Sequence, residues 1–272
     1  MMPRTFSNHG FSRSLPVITL CVLLTSCATD AYQNEAGSPE VASASALDIL
    51  DKSLIAHGGL NTWQSYGSLE YDVIKGDNEG HHIIDLKTRR TLQSGENYVL
   101  GFDGKNTWVS PDLDAFPGNP DFYVGLDFYF FGIPFVLADP GTNRELLGDV
   151  TFNGTTYEAV KISYNAGVGA SPDDYYIAHF DKETHLLTYL LYTVTFNSQE
   201  PNENYYARAY EEWQEVGGLL LPKKMAAYSW DKETRMLGEM RREAVFNNVT
   251  LDTKQPEEAV FAKPDNAAFS TP

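Results

Sequence analysis

From Ser68 onward the chain alternates apolar and polar residues with a period of two, and no long helix interrupts after residue 60. Successive side chains on a strand point to opposite faces, so such a chain is confined to sheets with one buried face. Leu69, Tyr71 and Val73 alternate with Glu70 and Asp72. Tyr98, Leu100 and Phe102 lead into Asp103-Gly104, a hairpin signal, with Trp108 on the return. Tyr157, Ala159, Val160, Ile162 and Tyr164 form a further strand. Residues 175–180 and 186–196 flank the turn Asp181-Lys182-Glu183-Thr184; residues 204–213 and 219–230 flank Gly217-Gly218; residues 236–251 supply a last strand. The pattern predicts a mainly β (α+β) fold: a curved antiparallel sheet, or incomplete β-barrel, with an N-terminal helix and a short helical lid or plug.

Two segments depart from this period. Ser45 as N-cap with Asp48 three residues on, and Leu47, Leu50, Leu54 and His57 on one stripe, predict a helix stopped by Gly58-Gly59. His57 is expected to be a histidine at the helix C-terminus rather than a catalyst. Residues 112–149 break the strand pattern. Within them, residues 120–137 hold no Lys or Arg and only Asp121 and Asp127 as charged residues, although the chain carries 20 Lys+Arg against 37 Asp+Glu. Gly132 and Pro134 argue against one continuous helix, so short helical turns and loop are expected, ending at Asp139-Pro140-Gly141. An apolar insertion between strands of a curled sheet belongs against its concave face. There Phe122, Tyr123, Leu126, Phe128, Tyr129, Phe130, Phe131, Ile133, Phe135 and Val136 either line an apolar ligand pocket or fill the half-barrel as a permanent plug. A third use is an exposed patch for a protein or membrane surface. If the segment gates a pocket, Phe131→Asp abolishes binding and leaves the sheet folded.

Residues 1–26 resemble a lipoprotein signal peptide. Arg4 and Arg13 precede an apolar run over residues 15–24, too short to span a bilayer, and Leu24-Thr25-Ser26-Cys27 resembles a bacterial lipobox. That resemblance implies that Cys27 is the lipidated N-terminus and a stable membrane anchor. Ala28 rather than Asp after Cys27 resembles the sorting signal for the outer membrane; which face the domain occupies is left open. Residues 27–44, rich in Ala, Ser, Gly and Glu, read as a flexible tether of roughly 20–25 Å, and residues 45–272 as one domain. Cys21 leaves with the signal, so no disulfide is expected. The signal removes two arginines and no acid, making the mature chain more acidic than the formal −17 of the whole. Such a surface repels nucleic acid and anionic headgroups.

Several phrases together resemble a group of uncharacterised bacterial lipoproteins in the superfamily of the carriers LolA and LolB. They are "AHGGLNTW" followed by "LEYDV", then "GFDGKNTWVS", "YYIAHFDKETHLLTYLLY", "YEEWQEVGGLLLPKKM" and the late "FNNVTL…AVFAKP". The resemblance covers most of residues 45–264 and implies an incomplete barrel around an apolar cavity that takes acyl chains. No carrier residue is matched position by position.

The chain contains no G-x-S-x-G, H-E-x-x-H, Walker loop or C-x-x-C, and Gly167-Val168-Gly169 lacks the rest of a dinucleotide fingerprint. His81 and His82 must face opposite sides of a strand and cannot share a metal. His179 and His185 could approach across a hairpin, but solvated turn residues are the expected reading. Pro117 breaks the calcium-loop-like start at Asp112 and Asp114. No cofactor, metal or enzymatic activity is expected. The reading is a non-catalytic, outer-membrane-anchored lipoprotein that binds a lipid or other hydrophobic ligand. The alternative is an envelope interaction or sensor module whose barrel is plugged by its own side chains, with a protein partner that the sequence does not name.

Overall fold

The structure is a computed structural model and describes residues 49–165, 173–196 and 205–270. Cys27, the tether, the Ser45 and Asp48 cap, Leu47 and Gly167-Val168-Gly169 lie outside the described residues. Helix α1 covers residues 49–56, and α2 is Leu60–Ser65. Five strands follow: β1 (Ser68–Lys75), β2 (Asn78–Asp85), β3 (Thr91–Ser94), β4 (Val99–Phe102) and β5 (Thr107–Ser110). The helical insert then holds α3 (Pro120–Tyr123) and α4 (Leu126–Phe131). The remaining strands are β6 (Thr142–Phe152), β7 (Thr155–Tyr164), β8 (Tyr176–Phe180), β9 (Leu187–Tyr192), β10 (Tyr206–Val216), β11 (Leu219–Asp231), β12 (Met236–Asp252) and β13 (Ala268–Phe269).

All thirteen strands join one antiparallel sheet in the order β13-β5-β4-β3-β2-β1-β12-β11-β10-β9-β8-β7-β6. Two meanders, β1–β5 and β6–β11, are stitched together by β12, which pairs with β1 on one side and β11 on the other. The sheet ends at β13 and β6 and is not closed into a barrel. This is the curved antiparallel sheet with a helical segment that the alternation predicts. The hairpins expected at Asp103-Gly104, Asp181–Thr184 and Gly217-Gly218 are present as the β4–β5, β8–β9 and β10–β11 connections.

The topology explains the apolar insert. It leaves β5, next to one edge, and returns as β6, at the other. A chain making that crossing in about thirty residues of helix and turn must run over one face of the sheet. It is therefore covered on its inner side by strands, which its composition matches. Phe128, Phe130, Phe131, Ile133, Phe135 and Leu137 are all buried, in one cluster with Leu69 and Tyr71 of β1, Val160 of β7, Leu190 of β9, Leu221 of β11 and Phe246 of β12. Side chains from strands this far apart in the sheet meet only if it curls around the insert.

Helix α1 ends as its sequence predicts. The Gly59 N–H donates to the Leu54 carbonyl at 2.8 Å and the Gly58 N–H to that of Ile55 at 3.0 Å, the two bonds of a Schellman cap. Gly58 has φ +103, and a Cβ there would lie 2.2 Å from the Gly218 carbonyl oxygen. The helix end thus docks on the β10–β11 turn, fixed further by the Leu220 N–H donating to the His57 carbonyl at 2.9 Å. On the opposite face of the sheet, Phe152, Tyr157, Leu191 and Ala207 form a smaller cluster, with Trp230 stacked on Phe152 at 4.7 Å.

Strand β6 falls where the sequence predicts a break in pattern through residue 149. It is an edge strand whose residues alternate between half-buried and exposed, with a register shift between Leu146 and Gly148, so few large apolar side chains mark it. The long strand expected over residues 186–196 stops at Tyr192.

Candidate functional site

The insert divides into two parts. The deep part is Phe128, Phe131, Ile133, Phe135 and Leu137. Phe131 stacks on Tyr71 at 4.7 Å and meets Phe246 at 4.9 Å; Phe135 stacks on Trp63 at 4.8 Å. These side chains are core. The shallow part is Phe122, Leu126, Tyr129, Phe130 and Val136, which face a cavity of about 740 Å³. Tyr123 lies beside it, exposed, with its ring against Phe116. Of the ten aromatic and aliphatic residues singled out from the sequence, five therefore line this cavity and four are committed to the core.

The cavity lies where the two ends of the sheet approach each other. One wall comes from the β2–β3 and β4–β5 connections with Thr91, Phe102 and Thr107. The other comes from Thr142 of β6, Tyr164 of β7, Asp174 just ahead of β8, and Tyr176 of β8. The insert is its floor. The size is typical of a small-ligand site, about 300–1,000 Å³; the floor is apolar, and six charged residues stand around it.

Polar ties from separate strands pin the insert. Lys75 of β1 pairs with Asp127 of α4. Arg89 donates to Asp139 at 2.7 Å, and the Gln93 amide to the Val124 carbonyl at 2.5 Å. The Tyr210 hydroxyl donates to the Phe130 carbonyl at 2.8 Å, and Ser270 to Asp121 at 2.6 Å. Arg208 lies over the Phe130 ring at 3.9 Å, a cation–π contact beneath the cavity floor. Burial pushes the Asp127 carboxyl up, but Lys75 and then His82 outweigh it and hold it below the usual range. Burial pushes the Asp139 carboxyl up, against the opposing pull of Arg89. On the far wall, burial raises the Tyr164 and Tyr176 hydroxyls well above their ordinary range, so both stay protonated.

The histidines separate as strand geometry requires. His81 is exposed, with Nδ1 2.7 Å from Asp72; His82 is buried, 3.3 Å from the Tyr71 hydroxyl and 3.8 Å from Asp127. Burial lowers His82 to about 4 despite Asp127. His179 is not the solvated turn residue expected: it lies in β8, buried against Phe152 at 4.6 Å, whereas His185 reaches toward Glu158, so the two do not converge. His57 stands at the C-terminal end of α1, as expected. It is fully buried between Trp213 and Phe135, and burial lowers it to about 4 despite its bond to Ser53. The Ser53 carbonyl can only accept, so Nδ1 carries the proton, donating at 2.8 Å, and Nε2 faces the rings without a partner. It is neutral core. Asp112 caps the 3₁₀ turn Leu113–Ala115 through the Ala115 N–H, which accounts for the acid that opens the calcium-loop-like stretch. Among the described residues no group of three His, Cys, Asp or Glu is placed to hold a metal.

No family model matches the chain, and no curated protein matches it. Solved structures similar to it include a DUF1329 family protein from Desulfovibrio piger, at 10% identity over 81% of this chain and 99% of that one, with a TM-score of 0.49. An outer membrane lipoprotein-sorting protein domain from Vibrio parahaemolyticus matches at 9% identity over 79% of this chain and 95% of that one, TM-score 0.47. A LolA superfamily protein from Nitrosomonas europaea matches at 8% identity over 80% and 97%, TM-score 0.42.

Proposed function

We propose that this is a non-catalytic envelope lipoprotein, anchored through Cys27 and a tether over residues 27–44, whose domain over residues 45–272 binds an apolar ligand between the two ends of its curled sheet. The observation that carries this is the cavity of about 740 Å³ floored by Phe122, Leu126, Phe130 and Val136. Apolar floor and open edges suit an acyl chain, which gains about 0.8 kcal/mol per CH₂ removed from water and needs no directional chemistry. Anchorage in the outer membrane is part of the proposal, on the ground of Ala28 after Cys27.

A second reading is supported by the deep part of the insert. Because Phe128, Phe131, Ile133 and Phe135 already fill the concave face, the half-barrel is plugged there, and the protein could serve as an interaction module. Native mass spectrometry of the full chain carrying Cys27→Ser separates the two. Extra mass that leaves on organic extraction supports the ligand site. A clean mass, with no uptake of fatty acid or phospholipid, overturns it in favour of the module.

A further inference from the structure

The acceptors and donors around the cavity are not balanced. Three carboxylates line it, and each already accepts bonds from within the protein. Asp139 accepts from Arg89, Asp121 from Ser270, and Asp174 from the Thr193 hydroxyl and the Thr195 N–H. The cations are disposed otherwise. Lys87 and Lys105 line the same cavity, and among the described residues neither lies within ion-pair distance of a carboxylate. Lys87 reaches only the Gln64 carbonyl, and Lys105 is exposed at the tip of the β4–β5 turn.

The two turns that carry these lysines are held side by side. Arg90 of the β2–β3 turn donates through Nε to the Asp103 carbonyl of the β4–β5 turn at 3.0 Å, and its guanidinium pairs with Glu258 at 2.9 Å. Arg90 is thus consumed in the scaffold, as Arg89 is by Asp139, and the two lysines are left at the cleft without a carboxylate partner. On the opposite wall the Tyr164 and Tyr176 hydroxyls bond to each other, which leaves one of their two protons to donate toward a ligand. A site whose carboxylates are engaged by the protein's own donors, and two of whose three cations have no carboxylate partner, suits an anion. It sits beside an apolar floor, in a chain of net charge −17 that elsewhere repels anions.

From this we infer that the ligand is an anionic amphiphile: a carboxylate or phosphate headgroup at Lys87 and Lys105, its chain lying along Phe122, Leu126 and Phe130. The inference rests on the apolar-ligand reading of the same cavity and adds the headgroup to it. Partly exposed ion pairs contribute up to about 1 kcal/mol each, so two lysines separate a charged from an uncharged headgroup by roughly tenfold in affinity.

The test is calorimetric titration of the full chain carrying Cys27→Ser with hexadecanoate, hexadecyl phosphate and methyl hexadecanoate, each below its aggregation concentration. The expected result is that one or both anions bind about tenfold more tightly than the ester. Lys87→Gln with Lys105→Gln should bring the anions down to the ester's affinity and leave the ester unchanged, which also shows that the variant is folded. Preference between hexadecanoate and hexadecyl phosphate identifies the headgroup. If ester and anions bind equally and the lysine variant changes nothing, the headgroup inference is overturned while the cavity reading stands. If none of the three binds, the cavity reading itself fails.

Discussion

Replacing Phe131 by Ala is the sharpest check on how the insert is divided. Phe131 has 0% of its surface exposed and lies between Tyr71 and Phe246, with ring centroids at 4.7 and 4.9 Å. Its loss removes a buried ring and leaves a void lined by rigid aromatics of two paired strands, which cannot easily collapse. Such truncations cost about 3–5 kcal/mol. With a urea dependence of about 3 kcal/mol per molar, the unfolding midpoint should fall by roughly 1–1.7 M. Phe122→Ala is the control. That ring is half-buried on the cavity floor, against Tyr123 and Phe196, so its removal should cost less than about 1 kcal/mol. Ligand affinity should show the reverse order, falling for Phe122→Ala. Equal midpoint shifts for the two variants, or a loss below about 1 kcal/mol for Phe131→Ala, would refute the assignment of Phe131 to the core. The expectation that Phe131→Asp spares the sheet changes accordingly. A carboxylate at that position has no partner, and the variant should fail to fold.

Three buried histidines set the acid sensitivity. His57, His82 and His179 are each lowered to about 4 in the folded protein, mainly by burial, against 6.5 when unfolded. The unfolded chain then binds more protons between those values, so stability falls as pH drops from 6.5 toward 4, by about 2 kcal/mol per histidine at pH 5; a urea midpoint unchanged between pH 7 and pH 5 would contradict the burial. Gly58→Ala places a Cβ 2.2 Å from the Gly218 carbonyl at φ +103, and should lower Tm by at least about 5 °C in thermal unfolding. Trp108→Phe removes the indole N–H that donates to the Phe261 carbonyl at 2.9 Å and should cost about 1–3 kcal/mol, with faster proteolysis around residues 258–270 as the readout.

The parts of the fold legible in the sequence are those written locally. Asp103-Gly104, Asp181–Thr184 and Gly217-Gly218 carry turn chemistry within a few residues, so the hairpins they close can be read directly. Strands β2 and β3 were hidden because buried polar residues stand where apolar ones would mark a face: His82 in β2, and Thr91 and Gln93 in β3, all buried. Strand β6 was hidden because an edge needs little apolar surface. In the insert, the breaks at Gly132 and Pro134 could be read, and so could its apolar character. Which rings are core and which line a cavity could not, since that depends on how far the sheet curls. The wall residues Lys87, Thr107, Tyr164 and Tyr176 come from four separate connections and strands and share no local pattern.

The position of β12 has a consequence for how the chain is made. Asp72 in β1 and Asn248 in β12 bond at 2.6 Å although 176 residues separate them. Until β12 has been made, the two meanders have no strand to join them, and each has an unpaired edge at β1 or β11. Pairing of this range is slow, because loop-closure entropy is lost before the contacts form. For almost the whole of its synthesis the chain thus carries two unpaired sheet edges, the kind of surface that pairs with other chains when left exposed. A chain cut short before residue 236 would keep most of its strands and still have no way to become one sheet.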